Sequence, residues 1–466
     1  MGAGLNRNNT TLSALVLLTI IKAFTPQKVP VFDWLFTAAW TFFALLCAWN
    51  GINELIDLFS RNRRRWKNAV SGLAHCGIFV FILATLSGSI SYRSEYLQLY
   101  PGHLGATEDF VVALESFKME EYPPETEVIS PDGSAGGQWE VELETIIDKA
   151  MPDSNGFRAI DHTGAVTAAY VTASNENVTV NGWVSDGSFL LDPVHLQLPD
   201  GCVVVMKDRQ PIQYISELRA RSKGRSEKLV VSAGNPASFC NWEIYQSGYD
   251  KSMGRWSLES DILCVKDIWS PVKYAGLWML LLSGLLMLAG APAAHFKAEG
   301  KSARSGLVIS GSVIFALIFT YIIISQLGIG RKKLPPILHS GWFIPHLAAY
   351  ISGYAVMATA TVAGIRAAMS KKGSDMTDIL VRAGWGLLTL GLVIGAIWAK
   401  RAWGNFWSWD PKETWAAATW LCYLLYMHMP KGKSKTAILI IAFLLLQMCW
   451  WGLSLLPSGM NSMHVY

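Results

Sequence analysis

Long apolar runs separated by short basic stretches dominate this chain on both sides of one large polar block. Runs of roughly 17 to 25 apolar residues have the length of a membrane-spanning helix. We predict spans at about 11–25, 31–55, 68–90, 272–294, 305–327, 342–368, 376–399, 411–429 and 435–456. A cleaved signal peptide is the alternative for residues 1–25, but no A-x-A-like site follows and Lys22 interrupts the apolar run, so we retain the segment as a span.

The polar block, residues 91–271, has the pattern of β-structure. Strand-like runs lie at 166–172, 178–184 and 228–232, with turn signals at Asp132-Gly133, Asn155-Gly156 and Asn181-Gly182. About 180 residues are enough to enclose a separate core.

The composition agrees with this pattern. Of 466 residues, 51% are hydrophobic and only 16% are charged, against about 25% in soluble proteins. The chain is therefore predicted to be a polytopic α-helical membrane protein with about nine transmembrane helices and one β-rich domain. Its partner is the lipid bilayer. The net charge of +4 is explained by the basic loops, so nucleic acid is not expected.

The basic loops predict the orientation, because short cytoplasmic loops are rich in Lys and Arg. The run 61–67 is the strongest of these. The basic loops near residues 297–304, 366–372 and 431–435 are alternate loops of the predicted topology, so they fall on the same side of the membrane. The N-terminus is then inside, the C-terminus outside, and the β-rich domain extracytoplasmic. The basic run 331–333 would lie outside, against the rule.

The cysteine pattern does not indicate a disulfide oxidoreductase, because CxxC occurs nowhere in the chain. Cys202, Cys240 and Cys264 lie in the β-rich block and allow one disulfide and one free thiol, or none. The chain also lacks the phosphate loop GxxxxGK[ST] and a nucleotide fingerprint. Transport or synthesis driven by ATP bound to this chain is therefore not expected.

One short segment, residues 403–415, contains four tryptophans and one phenylalanine between two apolar runs. Tryptophans at a membrane interface usually space out, whereas these crowd around Gly404 and a charged Asp-Pro-Lys-Glu. A large flat ligand would need such an aromatic surface, and haem is our hypothesis. The residues expected to face it are Trp403, Gly404, Asn405, Phe406, Trp407, Trp409, Asp410 and Trp415. Asp410, Pro411 and Glu413 also match the N-cap, N1 and N3 positions that begin any helix.

Four of the nine histidines occupy positions that suggest haem ligation. His75 and His428 lie within predicted spans at similar depth on the inner side, where an ionisable side chain is rare; interhelical hydrogen bonding is the alternative role. His346 and His464 flank the tryptophan segment on the outer side, as bis-histidine ligation of haem iron requires. The other five, His103, His162, His195, His295 and His339, are predicted to be surface residues.

The tryptophan segment resembles the WWD signature of haem-handling proteins, and its Asp-Pro-Lys-Glu continuation is most similar to the CcsA (ResC) branch. Trp342-Phe-Ile-Pro-His346, Tyr426-Met-His428 and Met463-His464-Val-Tyr466 resemble the external and intramembrane histidine motifs of CcsA. The N-terminal half, with Leu73-Ala-His75 and 242–250, resembles CcsB (ResB). The whole chain therefore resembles a fused CcsBA cytochrome c synthase.

The resemblance implies a division of the chain into a CcsB-like part at 1–90, the β-rich domain at 91–271, a fourth CcsB-like helix with its loop at 272–304, and a CcsA-like part at 305–466. It also implies a location in the inner membrane, with the catalytic face outside. Haem b would be held by His75 and His428, then move outward to His346 and His464.

The resemblance further implies a reaction at the outer station. There the two thiols of an apocytochrome c CxxCH segment would add to the haem vinyl groups while the enzyme displays reduced iron. Proteins that keep those thiols reduced are expected partners. Two other functions remain open: a CcmC-like haem exporter that supplies a separate ligase, and a structural membrane protein whose tryptophans anchor it at the interface.

Overall fold

The computed structural model describes residues 2–25, 29–59, 65–136, 138–298, 313–318, 320–321, 333–370 and 375–452. The chain divides into two compact units. The first comprises residues 1–93, 266–332 and 340–466, and the second comprises residues 94–265 and 333–339.

The first unit is helical. Its helices are α1 (Gly2–Phe24), α2 (Pro30–Phe59), α3 (Arg65–Ser91), α4 (Ser270–Ala298), α5 (Phe343–Met369), α6 (Asp375–Trp403), α7 (Pro411–His428) and α8 (Lys433–Gln447), which a π-helical turn at Met448–Gly452 extends. The predicted span at 305–327 falls largely outside the described residues. Neighbours in the packing include α2 with α3, α3 with α4, α4 with α6, α5 with α6, and α1 with α7.

Six of the described helices are long and apolar enough to cross a membrane: α2, α3, α4, α5, α6 and the segment Lys433–Gly452. This agrees with a polytopic membrane protein, while the count of nine spans and the orientation stay predictions. Helix α7 is not among the six, because Lys412, Glu413 and its aromatic residues lower its hydropathy. Most of its residues are buried by neighbouring helices, so it is a core helix of this unit.

The start of α7 is built as the sequence indicates. The Asp410 carboxylate accepts a hydrogen bond from the Lys412 amide (2.9 Å), Pro411 is the first helical residue, and the Glu413 side chain accepts from the Asp410 amide (3.2 Å). This reciprocal capping box satisfies amides that the helix cannot pair internally.

The second unit is a β-structure, with fifteen strands among its described residues. They are β1 (Arg93–Leu99), β2 (Leu104–Ala106), β3 (Val111–Glu121), β4 (Thr126–Ile129), β5 (Glu140–Asp153), β6 (Gly156–Ala159), β7 (Val166–Ser174), β8 (Thr179–Ser185), β9 (Leu196–Gln197), β10 (Val203–Met206), β11 (Pro211–Ser222), β12 (Arg225–Ser232), β13 (Ala237–Phe239), β14 (Trp242–Tyr249) and β15 (Ser260–Lys266). They form four sheets, in the orders β1-β15-β14-β13, β4-β10-β9, β12-β11-β3-β2 and β6-β5-β7-β8. The three predicted strand runs correspond to β7, β8 and β12 and are confirmed.

One of the predicted turns is wrong. Asn181-Gly182 lies inside β8, where Gly182 pairs with Val171 of β7. A Cβ at Gly182 would lie 2.6 Å from Leu196 Cδ1, so the glycine makes room for that side chain rather than for a turn. Gly133 and Gly156 do have positive φ angles, as turns require.

Two largely buried arginines join separate sheets of the second unit. Arg209 and Arg255 both contact the Asp148 carboxylate, at 2.7 Å and 3.2 Å, and both lie near Glu121. Burial raises the pKa of Glu121, and the two guanidinium groups oppose that shift. Because one partner is on β3 and another on β5, the network ties two sheets together.

The cysteines of the described structure are free thiols, including Cys202, Cys240 and Cys264. Of the two alternatives left open by the sequence, the one without a disulfide is found. The predicted surface histidines are exposed where their side chains are described: His103, His162, His195 and His339.

Candidate functional site

Among the described residues of the helical unit, three cavities lie close to the predicted site residues. The His75 cavity, of about 320 Å³, is lined by residues of α1, α2, α3, α4, α6 and α7, including His75 and His428. The His346 cavity, of about 280 Å³, is lined by residues of α5, α6, α7, the tryptophan segment and Trp450. The apolar cavity, of about 200 Å³, shares Ile78 with the first and Leu392, Ala396 and Trp407 with the second.

Helix α6 forms a wall of all three cavities. Its first half contributes Arg382 and Trp385 to the His75 cavity, its middle contributes Thr389 to the apolar cavity, and its last turns contribute Trp398 to the His346 cavity. The three spaces therefore follow one another along a single helix.

The structure brings His75 and His428 together, as their matched depth predicts. Both line the same cavity although they are on α3 and α7. His428 Nδ1 lies 2.9 Å from the carbonyl oxygen of Leu424, one turn earlier in its own helix. A carbonyl only accepts hydrogen bonds, so Nδ1 carries the proton and Nε2 is left with its lone pair. A neutral imidazole whose second nitrogen carries a lone pair is the form that binds a metal ion.

His346 is held in the same way. It lies in the first turn of α5, and its Nδ1 donates to the carbonyl oxygen of Gly391 on α6 at 2.9 Å. The imidazole ring lies 4.9 Å from the ring of Tyr350 and 5.7 Å from that of Trp398, measured between centroids. These contacts orient the ring, and the proton on Nδ1 places the lone pair on Nε2.

Glycines of α6 create the space for this histidine. A Cβ at Gly395 would lie 2.7 Å from His346 Cε1 and 2.8 Å from its Nδ1. A Cβ at Gly391 would lie 2.8 Å from the Tyr350 ring. Helix α6 thus has a smooth face against which the two rings of α5 pack.

Of the tryptophan segment, Phe406 and Trp407 line the His346 cavity, and Trp407 and Trp409 line the apolar cavity. Trp409 packs on Phe36 and Trp40 of α2, with ring centroids 4.7 Å and 5.3 Å apart. Its backbone has φ +59°, a conformation that costs a residue other than glycine about 1 to 3 kcal/mol and occurs most often at functional sites.

The other predicted members of the segment serve different contacts. Trp403, Gly404, Asn405, Asp410 and Trp415 do not line any of these three cavities. The Asp410 carboxylate caps α7, Asn405 is exposed, and the Trp415 ring is buried against Phe24 of α1. The Gly404 carbonyl accepts a hydrogen bond from the buried ammonium group of Lys400 at 3.0 Å. His464 lies outside the described residues.

Of the polar groups of the His346 cavity, Trp407 was predicted from the sequence, whereas Trp398 and Lys412 were not. The indole N–H groups of Trp398 and Trp407 are buried without a hydrogen-bond partner among the described residues. By contrast, the indole of Trp420, which lies outside this cavity, donates to Thr389 at 2.9 Å. Lys412, at the second position of α7, also lines the cavity, with its ammonium nitrogen 5.6 Å from the centroid of the Trp450 ring.

Glu413 also lines this cavity, but its carboxylate accepts hydrogen bonds from the amides of Ser408 (2.8 Å) and Asp410 (3.2 Å). Lys412 and the two indole N–H groups then favour an anionic ligand in the His346 cavity. A cation at the positive N-terminal end of a helix is unfavourable by itself, and buried N–H donors normally find acceptors. A ligand with carboxylates at the edge of an apolar body would satisfy both. In the His75 cavity, Arg382 is the corresponding cation.

Comparison with known proteins finds similarity in the C-terminal part of the chain. Residues 269–461 match the family described as Cytochrome C assembly protein. The chain is 39% identical over 99 residues to the cytochrome c biogenesis protein CcsA of Cyanophora paradoxa, covering 20% of this chain and 31% of the relative.

Two further relatives, also described as cytochrome c biogenesis protein CcsA, match longer stretches. The protein of Chlamydomonas reinhardtii is 32% identical over 151 residues, covering 28% of this chain and 43% of the relative. That of Hordeum vulgare is 29% identical over 164 residues, covering 33% and 51%. The chain thus spans about a third to a half of the length of these relatives.

The CcsB-like identity of the N-terminal part stays a prediction, since the matched family region begins at residue 269. For the C-terminal part, the prediction of a CcsA-type cytochrome c biogenesis protein is confirmed.

Proposed function

We propose that this protein takes up haem in the His75 cavity, moves it past the apolar cavity to the His346 cavity, and joins it there to the CxxCH segment of an apocytochrome c. One observation carries this proposal. At two places along α6, an apolar cavity contains a histidine whose Nδ1 is hydrogen-bonded to a backbone carbonyl. The names of the CcsA relatives support cytochrome c maturation as the process.

The residues present fit haem as a substrate. Each cavity offers an imidazole for the iron and an apolar lining for the porphyrin ring. Lys412 and the indole N–H groups of Trp398 and Trp407 supply one cation and two donors for the propionates in the His346 cavity. We infer that His428 joins His75 as the second ligand of the first station, and His464 joins His346 at the second.

The chemistry that follows needs no nucleophile from this chain. Each substrate thiol adds across one haem vinyl group: the sulfur bonds to one vinyl carbon, the hydrogen ends on the other, and nothing is released. The protein contributes positioning, since a fixed haem edge turns a dilute encounter with the two thiols into a local one.

The test is synthesis by this chain alone. We expect co-expression with a CxxCH apocytochrome in cells that lack other cytochrome c maturation proteins to yield covalent product, seen by haem staining on a denaturing gel. An exporter that supplies a separate ligase would give haem-loaded protein without product. A structural membrane protein would purify without a Soret band. Either result would contradict the proposal.

Replacing Gly395 by alanine tests the glycine face of α6. The added methyl group would overlap the His346 ring, so we expect the ring to move, at an overpacking cost of about 1 to 3 kcal/mol, and haem bound in this cavity to be lost. Absorption spectra of the purified variant measure the loss. Gly341→Ala is the control, because a Cβ at that position meets no atom within 4 Å. An unchanged haem content in Gly395→Ala would argue against His346 as a ligand.

A further inference from the structure

A carboxylate on α2 contacts the histidine of the first cavity. Glu54 Oε2 lies 2.8 Å from His75 Nδ1, and both side chains are largely buried. Glu54 does not itself line the His75 cavity, whereas His75 does. Any effect of Glu54 on a ligand there must therefore pass through the imidazole.

The second carboxylate oxygen is also occupied. Ser71, one turn before His75 on α3, donates its hydroxyl to Glu54 Oε1 at 2.7 Å. With both oxygens bound to groups of α3, the carboxylate has one orientation relative to the imidazole. His75 Nδ1 then donates to the carboxylate, and Nε2 becomes the nitrogen that a ligand can use.

Two glycines permit this close approach of α2 and α3. A Cβ at Gly72 would lie 3.4 Å from Glu54 Cβ, and a Cβ at Gly51 would lie 2.8 Å from Cys76 Sγ. The helices therefore meet closely at the level of His75. Since Cys76 adjoins His75, the contact brings the carboxylate to the imidazole.

The three described histidines of the site differ in this respect. His428 and His346 donate to neutral backbone carbonyls, while His75 donates to a carboxylate. An anion in an apolar helix bundle is costly, so the carboxylate behind His75 calls for an explanation. A carboxylate behind a ligating imidazole fixes the ring and makes the other nitrogen a stronger electron donor.

We propose that Glu54 is a positioning residue that sets the strength with which His75 binds haem iron and lowers the reduction potential of haem in this cavity. The inference rests on the proposed function and deepens it. The stronger donor favours ferric over ferrous iron, so the first station would hold oxidised haem more firmly than a carbonyl-bonded histidine would.

The alternative role for the pair is an interhelical hydrogen bond that only joins α2 to α3. The two roles differ in one observable. A purely structural bond would leave the reduction potential of bound haem unchanged when the charge is removed.

The first experiment compares Glu54→Gln with its parent in a His346→Ala background, where bound haem reports the His75 cavity. We expect haem affinity to fall by about 10-fold or more, and the midpoint potential to become more positive, in a spectroscopic redox titration of the full-length protein. Glu54→Asp should restore part of both. Asn53→Ala, an exposed neighbour on α2, is the matched control and should change neither.

Equal potential and affinity in Glu54→Gln and its parent would overturn the inference. Failure of the proposed function looks different: His75→Ala in the same background would then lose no haem at all.

A second experiment keeps Glu54 in place, so it does not depend on how Glu54→Gln folds. In His75→Gly protein, added imidazole can bind iron through one nitrogen and donate to Glu54 through the other, whereas 1-methylimidazole cannot donate. We expect half-maximal restoration of the haem spectrum at an imidazole concentration about 10-fold lower than that of 1-methylimidazole. The preference should disappear in His75→Gly/Glu54→Leu. Equal restoration by the two compounds in His75→Gly would overturn the inference.

Discussion

His346→Ala protein is expected to yield no detectable holocytochrome, a loss of about 100-fold or more. The physical reason is positioning, since without this ligand the vinyl groups are no longer fixed against the incoming thiols, and small misplacements of reacting groups cost rates of this order. The measurement is haem staining of co-expressed CxxCH substrate, with the absorption spectrum of the purified variant beside it.

Exogenous imidazole should restore part of the activity and of the spectrum of His346→Ala, because the cavity left by the side chain adjoins Gly395 and Tyr350 and can admit a free ring. His195→Ala, which removes an exposed histidine from the β-structured unit, is the matched control and should behave as the parent. Full activity of His346→Ala without imidazole would remove this residue from the site.

Replacing both His75 and His428 by alanine is expected to be as damaging in cells, for a different reason. The two histidines line one cavity, and their loss should deprive the second station of haem while leaving His346 in place. We expect product formation to fall by about 100-fold and the purified double variant to lose the haem of the first station.

The two defects should separate outside the cell. When haem and a reduced CxxCH peptide are added directly to purified protein, the double variant should regain product formation, because its His346 cavity is intact. His346→Ala should not. If added haem rescues both variants or neither, the assignment of uptake to one cavity and attachment to the other is wrong.

Much of the site could be predicted because its chemistry is unusual for its surroundings. An imidazole inside an apolar run and four tryptophans within thirteen residues are rare enough to be recognised without a structure. The capping role of Asp410 and Glu413 could be predicted as well, since it depends only on local spacing. His464, the fourth predicted ligand, stays a prediction.

The remainder depends on how helices rotate against one another, which local spacing does not specify. Trp398 and Tyr350 flank His346 because α5 and α6 pack along glycines of α6. Glu54 carried a signal that could have been used, namely a carboxylate near the end of the predicted span 31–55. Its partner, twenty-one residues later in sequence, follows only from the contact of α2 with α3.

The wrong turn prediction has the same origin. Asn181-Gly182 has the composition of a turn, but the glycine provides space for Leu196 across the sheet. A tertiary contact, absent from the local sequence, decides the conformation there. The span predicted at 411–429 stays a prediction, since the polar residues of α7 lower its hydropathy and neighbouring helices bury most of the helix.

That α6 borders all three cavities fixes a length scale for the proposed transfer. The residues of α6 that line the His75 cavity end at Trp385, and those that line the His346 cavity begin at Leu392, seven positions later, which at 1.5 Å per residue is about 10 Å along the axis. On the proposed function, haem has a short path between two separate cavities, and each cavity is expected to bind one haem. A binding titration of the purified protein should then saturate at two haems per chain.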